Sequence, residues 1–98
     1  MPNLDDLIRD HLSKDGQVLN LKAKFLREVG AKELAKREDL KEVRAMDLSQ
    51  NGIGDEGVKA IAESEVFVHL RNLNLASNLI TDVGAKCLAN STKLNKLR

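Results

Sequence analysis

VRAMDLSQNGIGDEGVKAIA (residues 43–62) is followed by a second segment in the same register, LRNLNLASNLITDVGAKCLA (residues 70–89). Each has an apolar–polar–apolar triad, then an asparagine, a glycine and a closing apolar pair. A weaker copy of the pattern begins at Gly16. The matched columns are Leu19-Asn20-Leu21, Met46-Asp47-Leu48 and Leu73-Asn74-Leu75; Lys24, Asn51 and Asn78; Leu26, Ile53 and Ile80; Gly30, Gly57 and Gly84; and Leu34, Ile61 and Leu88. Several columns at one fixed spacing predict a repeat protein, whose units bury their apolar sides against one another.

Each repeat unit contains two periodicities. The triad alternates apolar and polar residues, which is typical of a short strand. Residues 83–89 space their apolar residues as a helix does, and Asp55 and Asp82 stand near the predicted helix starts, where negative charge is favourable. We expect the glycines within the helices to let each helix approach its neighbour closely. The pattern therefore predicts an α/β array of strand–helix units.

Residues 4–13 predict a short amphipathic helix before the first unit. Asn3 can act as its N-cap, and Lys14-Asp15-Gly16 can form the turn that ends it. The exposed end of a repeat stack needs a polar-faced cover. We therefore expect residues 1–15 to form an N-terminal capping helix, and residues 16–98 to form three full repeats and the start of a fourth.

The segments that lead from each helix to the next strand are charged, with Leu40 and Phe67 at matching positions that are expected to be buried. The third such segment, residues 90–93, looks shorter than the others. On that shorter spacing Leu94 and Leu97 match Leu70 and Leu73 of the preceding unit. This match predicts a fourth strand that continues to Arg98.

The two quoted segments resemble leucine-rich repeats of the ribonuclease-inhibitor type. The endings GAKELA, GVKAIA and GAKCLA also resemble the bacterial Gly-Ala-Leu-Ala subclass. The first unit departs from the pattern, with Lys24 in place of the expected Asn and Gly16 in place of the leading Leu. The resemblance, over residues 16–98, implies a leucine-rich-repeat solenoid, a fragment of a right-handed α/β horseshoe with strands on its concave side and helices on its convex side.

Asn51 and Asn78 are expected to have a structural role. In a stack of this kind a buried amide can satisfy backbone groups of adjacent turns, which an apolar side chain cannot do. We therefore expect the two side chains to form a ladder rather than a catalytic site.

The composition argues against several classes of function. A net charge of +1 provides no overall field to attract nucleic acid or an acidic membrane, and the presence of only two aromatic residues argues against a base-stacking surface. Basic and acidic residues alternate over residues 22–44, as on a solvated helix face. No apolar stretch approaches the ~18 residues that span a bilayer. We expect neither a nucleic-acid nor a membrane partner.

The residues that could support catalysis are few. Cys87 is the single cysteine, and nothing in the repeat register places His11 or His69 beside it as a base. Two histidines and one cysteine also match no metal-ligand spacing. We therefore expect no catalytic residue, no enzyme activity, no metal and no cofactor. A chain with one cysteine forms no internal disulfide, which favours a reducing, cytoplasmic environment.

The concave strand face is the best candidate for contact with a partner. Polar residues between the inward leucines are expected to face solvent, and Val18, Ala45 and Asn72 stand one step before each strand. Adjacent strands lie ~4.8 Å apart, so such residues form a continuous surface that Lys96 and Arg98 would extend. The candidate partner-binding residues are Asn20, Lys22, Asp47, Ser49, Asn72, Asn74, Ala76 and Lys96. The alternative is an ordinary polar sheet face without a ligand.

Two functions follow from this pattern. The first is a protein–protein interaction module that binds a protein partner through the concave face. The second is a structural or regulatory segment of a longer repeat protein. Its C-terminal edge would then be covered by further repeats or by a second copy, as a homodimer. The end of the chain at Arg98, within a predicted strand, is the observation behind this alternative.

Overall fold

The computed structural model describes residues 3–97, which form a short helix followed by three strand–helix units. In chain order the elements are α1 (Leu4–His11), β1 (Val18–Asn20), α2 (Arg27–Leu34), a 3₁₀ turn (Glu38–Leu40), β2 (Ala45–Asp47), α3 (Gly54–Glu63), β3 (Asn72–Asn74) and α4 (Asp82–Ala89). The strands form a parallel sheet in the order β1-β2-β3. Leu19 pairs with Met46, and Met46 with Leu73. The predicted α/β repeat architecture is confirmed.

The core lies between the sheet and the helices. Apolar residues from the strands and from the ends of the helices belong to one buried cluster, which includes Leu19, Leu48, Leu34 and Ile61. Leu40 and Phe67 are also fully buried, as their matching positions predict. Burial of these side chains is the main stabilising contribution that such a thin fold can make.

Gly57 and Gly84 let neighbouring helices approach closely, as expected from their positions. A Cβ atom at Gly57 would overlap Ile53 and lie 3.1 Å from the Cβ of Ala31, in the preceding helix. A Cβ atom at Gly84 would lie 2.5 Å from a carboxylate oxygen of Asp55. In both places the adjacent unit occupies the space that any side chain would need.

The strand-to-helix loops share an unusual backbone geometry. Phe25, Gly52 and Leu79 occupy the same position of the three units, with φ angles of 59°, 63° and 60°. This left-handed region costs glycine little and is uncommon for larger residues. The loop shape therefore belongs to the repeat and is kept even where the residue does not favour it.

Helix α1 begins as predicted but ends earlier. The side chain of Asn3 accepts a hydrogen bond from the backbone N–H of Asp6 (3.2 Å). The prediction that the helix extends to residue 13 is wrong, because Leu12 is extended and pairs antiparallel with Leu19. Leu12 and Ser13 therefore occupy the outer edge of β1, and residues 14–16 form the turn that leads into it. Leu4 and Ile8 are the buried residues of α1.

An ion pair joins α1 to the segment after α2. Arg37 donates to Asp5 of α1 (2.7 Å) and to Asp39 (2.9 Å). The hydrogen bonds from Arg37 lower the pKa of Asp39, and those to Asp39 and Asp5 raise the pKa of Arg37. The pair is largely at the surface, so its contribution to stability is modest.

The match of Leu94 and Leu97 to Leu70 and Leu73, on a shorter last segment, is wrong. Ser91 donates to Ala62 O (2.6 Å) just as Ser64, at the same position of the preceding connection, donates to Ala35 O (2.6 Å). Leu94 is therefore the counterpart of Phe67, and it is buried.

The hydrogen bonds of the last turn agree with this register. Leu97 N–H donates to Leu94 O as Leu70 N–H does to Phe67 O. Residues 90–97 repeat the preceding connection at full length and contain no strand. The predicted fourth strand is therefore absent from the described residues, and Arg98 lies outside them.

Among residues 3–97, no helix has the length and the apolar character that are needed to cross a bilayer.

Candidate partner-binding surface

The exposed face of the sheet contains a shallow depression of about 330 Å³. All three strands line it along their whole length, from Val18–Asn20 through Ala45–Asp47 to Asn72–Asn74. The middle residue of each strand points to the core, and the outer two lie beside the depression. The residues predicted to stand one step before each strand are in fact the first residues of the strands.

Most of the predicted face residues are accessible. Asn20, Lys22, Asn72, Asn74 and Ala76 are exposed, and Asp47 is half-buried. These residues lie together on one surface, as the strand pairing requires. Whether they contact a partner stays a prediction.

Ser49 is buried, so the prediction that it faces solvent is wrong. Its exposure is 4%, and its hydroxyl donates to Asp47 Oδ1 (2.6 Å). The strand ends at Asp47, so the alternation of a strand does not extend to Ser49. The middle unit also has a neighbour on each side, whereas its counterparts Lys22 and Ala76 belong to the outer units.

Lys96 does not extend the row of face residues. It lies in the turn before Leu97, in register with Glu42 and His69 of the earlier connections. Those residues precede the strands by three positions, so Lys96 lies away from the lining of the depression. The prediction for Arg98 falls outside the described residues.

Asn20, Asp47 and Asn74 have a structural role that the repeat pattern does not reveal. Each side-chain oxygen accepts a hydrogen bond from the backbone N–H two residues later, at 3.1, 2.9 and 3.0 Å. Such Asx turns compete with strand geometry and so end the strand. Contact with a partner would have to use these side chains without breaking the turns.

The Asn51 side chain joins the first unit to the second. Its Oδ1 accepts from the backbone N–H of Lys24 (2.8 Å) and Leu26 (3.3 Å). Its Nδ2 donates to Leu21 O (2.8 Å), and also to Leu48 O and Ser49 O. Every hydrogen-bonding group of the amide is thereby satisfied in a buried place.

Asn78 repeats this arrangement one unit later. It accepts from the N–H groups of Asn51 (2.9 Å) and Ile53 (3.2 Å). Its Nδ2 donates to the carbonyl groups of Leu48, Leu75 and Ala76. Each amide thus binds the backbone of its own unit and of the preceding one.

Asp55 forms a second link between units, which the sequence pattern does not indicate beyond its place at a helix start. Its carboxylate accepts from the backbone N–H and the hydroxyl of Thr81, and from the N–H of Gly84 (3.1 Å). These groups begin helix α4. The hydrogen bonds from Thr81 lower the pKa of Asp55, because they favour its charged form.

The outer edge of β3 carries backbone donors whose counterparts are paired in the earlier units. Leu21 N–H donates to Asp47 O and Leu48 N–H to Asn74 O, both at 2.9 Å. Leu75 N–H has no such acceptor among residues 3–97, and neither do the N–H groups of Ser77, Asn78 and Ile80. Leu73, Leu75 and Leu88 are only partly buried along this edge.

Cys87 is a free, partly buried thiol in α4. Within residues 3–97, no group of three or more His, Cys, Asp or Glu side chains is placed to hold a metal ion.

A family model described as Leucine Rich repeat matches residues 43–62 and 68–89. The chain therefore contains leucine-rich repeats. Repeats of this family generally mediate protein–protein interaction and are typically not enzymes. Searches of curated proteins and of solved structures found no match to this chain.

Proposed function

We propose that this protein is a protein-interaction module that binds a protein partner through the exposed face of its sheet. The observation that supports this proposal is the depression that crosses all three strands, lined in part by exposed or half-buried polar side chains that lie outside the apolar core. The proposal includes a solenoid of ribonuclease-inhibitor-like repeats, capped at its N-terminal end by α1 and without enzyme activity. We also propose a reducing, cytoplasmic environment, since Cys87 is the only cysteine.

The test changes the floor of the depression and leaves the Asx turns in place. Ala45 and Asn72 lie beside the depression, and neither side chain hydrogen-bonds to the backbone among residues 3–97. The double variant Ala45→Glu/Asn72→Glu places two long, like-charged side chains there. Partners captured by the wild-type protein, identified by mass spectrometry, should be lost from the variant.

The matched control is Lys59→Glu, a charge change at an exposed position of α3 on the other side of the core. It should retain the captured partners. Circular dichroism checks that both variants are folded. Capture of the same partners by the double variant would contradict the role of the sheet face.

The edge of β3 supports a second candidate function. Its in-register N–H donors and partly exposed leucines are suited to one more parallel or antiparallel strand, because an open sheet edge readily pairs with another chain. In the purified protein we propose that a second copy supplies that strand, which gives a homodimer. Solution mass from light scattering should then fall from dimer to monomer on dilution. A monomer at every concentration would contradict self-pairing and favour coverage by a different strand, such as a further repeat.

A further inference from the structure

Exposed apolar side chains cluster at two positions of the repeat. Phe25 and Leu79 are 68% and 81% exposed, and they occupy the same position in the first and third loops. Four residues later, Val29 and Val83 are 60% and 63% exposed. Among residues 3–97 the only other large exposed apolar residue is Val18, on the sheet face. Chance alone would scatter such residues, and a cluster of them indicates a contact surface.

The fold does not require large residues at these places. Asn51 accepts hydrogen bonds from the N–H groups on either side of Phe25, which holds this residue in the left-handed region. The middle unit has Gly52 there, which adopts this conformation at little cost. Phe25 and Leu79 therefore combine an unfavourable backbone conformation with an exposed apolar side chain. The repeat imposes the backbone conformation, but Gly52 shows that nothing in the fold requires a large apolar side chain there.

The space between Phe25 and Leu79 carries a positive charge. A Cβ atom at Gly52 would lie 3.2 Å from Cδ of Arg27, so the side chain of Arg27 extends across the middle loop. Residues 22–27 contain Lys22, Lys24 and Arg27 and no acidic residue. Arg27 forms no ion pair with any of residues 3–97. The guanidinium group is therefore available to a carboxylate from outside.

The spacing of the loops restricts the shape of the partner. Arg27 N–H donates to Asn51 O and Gly54 N–H donates to Asn78 O, both at 2.8 Å, so adjacent loops are as close as paired strands. Two such steps place Phe25 and Leu79 about 10 Å apart. Residues seven apart on an α-helix lie about 10.5 Å apart on the same face. Same-face residues of a strand lie about 6.6 or 13 Å apart, which fits less well.

We propose that these side chains bind an acidic amphipathic helix of a protein partner. The surface consists of Phe25 and Leu79 on either side of Arg27, with Val29 and Val83 four residues further along, on either side of Glu56, and we call it the apolar rim. Two apolar residues of the helix, seven apart, contact its two ends, and a carboxylate between them pairs with Arg27. The apolar face of the helix would lie against the rim, and recognition of an amphipathic helix by its apolar face is a recurring mode. It uses residues other than those of the sheet face and does not depend on the function proposed for that face.

The proposal can be tested by titrating the ¹⁵N-labelled protein with a synthetic peptide of about 18 residues, long enough to form an isolated helix. The peptide carries two leucines seven residues apart, a glutamate midway between them and an otherwise acidic, soluble face. Amide resonance shifts should cluster at the apolar rim. Arg27→Glu should weaken binding by at least about tenfold, equivalent to about 1.4 kcal/mol. A peptide with lysine in place of the midway glutamate should bind this variant better than it binds the wild type.

Two further variants separate binding from folding. Phe25→Asn and Leu79→Asn should have melting temperatures at or above that of the wild type, because asparagine tolerates positive φ. Both should lose the peptide, whereas Ala45→Glu/Asn72→Glu on the sheet face should retain it.

Three outcomes would overturn the proposal. The first is the absence of shifts at the rim at ~1 mM peptide, a concentration that detects even weak complexes. The second is equal affinity for the glutamate and lysine peptides. The third is a protein dimer that Phe25→Asn dissociates, since the rim would then be occupied by a second copy.

Discussion

The middle unit (residues 43–62) and the third unit (residues 70–89) have similar sequences but different surroundings. Leu48 and Ile61 are fully buried, whereas their counterparts Leu75 and Leu88 are only partly buried. The residues are apolar in both units, so the difference comes from the neighbours: the middle unit has one on each side. In a repeat array, burial is supplied by the adjacent unit.

In the first unit, the hydrogen bonds at the ladder position also depend on the neighbouring segment. Each ladder asparagine binds the backbone of the unit before it, and the first unit has the antiparallel Leu12 and Ser13 before it instead of a parallel strand. Lys24 stands at the ladder position of this unit, and only its backbone N–H takes part in the ladder.

The largest expected effect is on the free energy of unfolding, when the equivalent residues Leu48 and Leu75 are each replaced by alanine. Leu48→Ala should reduce the free energy of unfolding by about 3 kcal/mol, since the side chain is fully buried and its removal leaves a cavity. Leu75→Ala should cost about half as much, because solvent already reaches that side chain. Urea denaturation of both variants measures the difference. Equal losses would show that the two units are packed alike in solution.

Removal of a ladder asparagine should have the next largest effect on stability. Asn51→Ala leaves buried backbone groups of two units without partners and should cost about 2–3 kcal/mol. Asn78→Ala should cost about 1 kcal/mol less, because two of its carbonyl partners are only partly buried. Asn72→Ala, at an exposed position, is the control and should leave stability nearly unchanged. If Asn51→Ala unfolded no more easily than the control, the ladder would have no stabilising role.

Replacing the glycines at the contacts between helices should have a smaller effect on stability. Gly57→Ala should destabilise by about 1–2 kcal/mol despite the better helix propensity of alanine, because the new methyl group meets Ile53 and Ala31. Gly84→Ala should cost a similar amount, since its methyl group meets Ile80 and the Asp55 carboxylate, which cannot turn away without losing its hydrogen bonds from Thr81 and Gly84. Thermal melts of the two variants provide the comparison. A stabilised Gly57→Ala variant would mean that the helices lie further apart than the structure places them.

The smallest expected effect is on the pH dependence of the melting temperature, through Asp55. The folded-state pKa of Asp55 is lowered by its hydrogen bonds from Thr81. Its stabilising contribution is therefore complete above the unfolded-state pKa of about 3.9 and is lost as the pH falls through the folded-state value. Melting temperatures measured from about pH 6 downwards should fall less steeply for Asp55→Asn than for the wild type. Asp82→Asn, at the matching position of the third unit, removes the same charge and leaves the hydrogen bonds of Asp55 in place. A pH curve flattened as much as that of Asp55→Asn would show that the effect comes from net charge and not from these hydrogen bonds.

The repeat pattern predicted much of the framework. The strand positions, the helix starts, the close approach at Gly57 and the burial of Leu40 and Phe67 all follow from one spacing and from the period of each segment. The pattern failed where a residue depends on a neighbour that its own period does not describe. Ser49 is one case, buried between two units. The last connection is another, because matching leucines alone missed the serine column of Ser64 and Ser91.

The sequence by itself determined that this protein is an array of strand–helix units whose matching positions recur at one spacing, because regular spacing of apolar, amide and glycine positions is a local property of the chain. The tertiary structure alone decided which chemically similar residues are buried, paired or exposed. It joined Asp55 to Thr81 and laid Arg27 across Gly52, between Phe25 and Leu79. The physical reason is that these contacts join residues of different units, and they form only when the units stack.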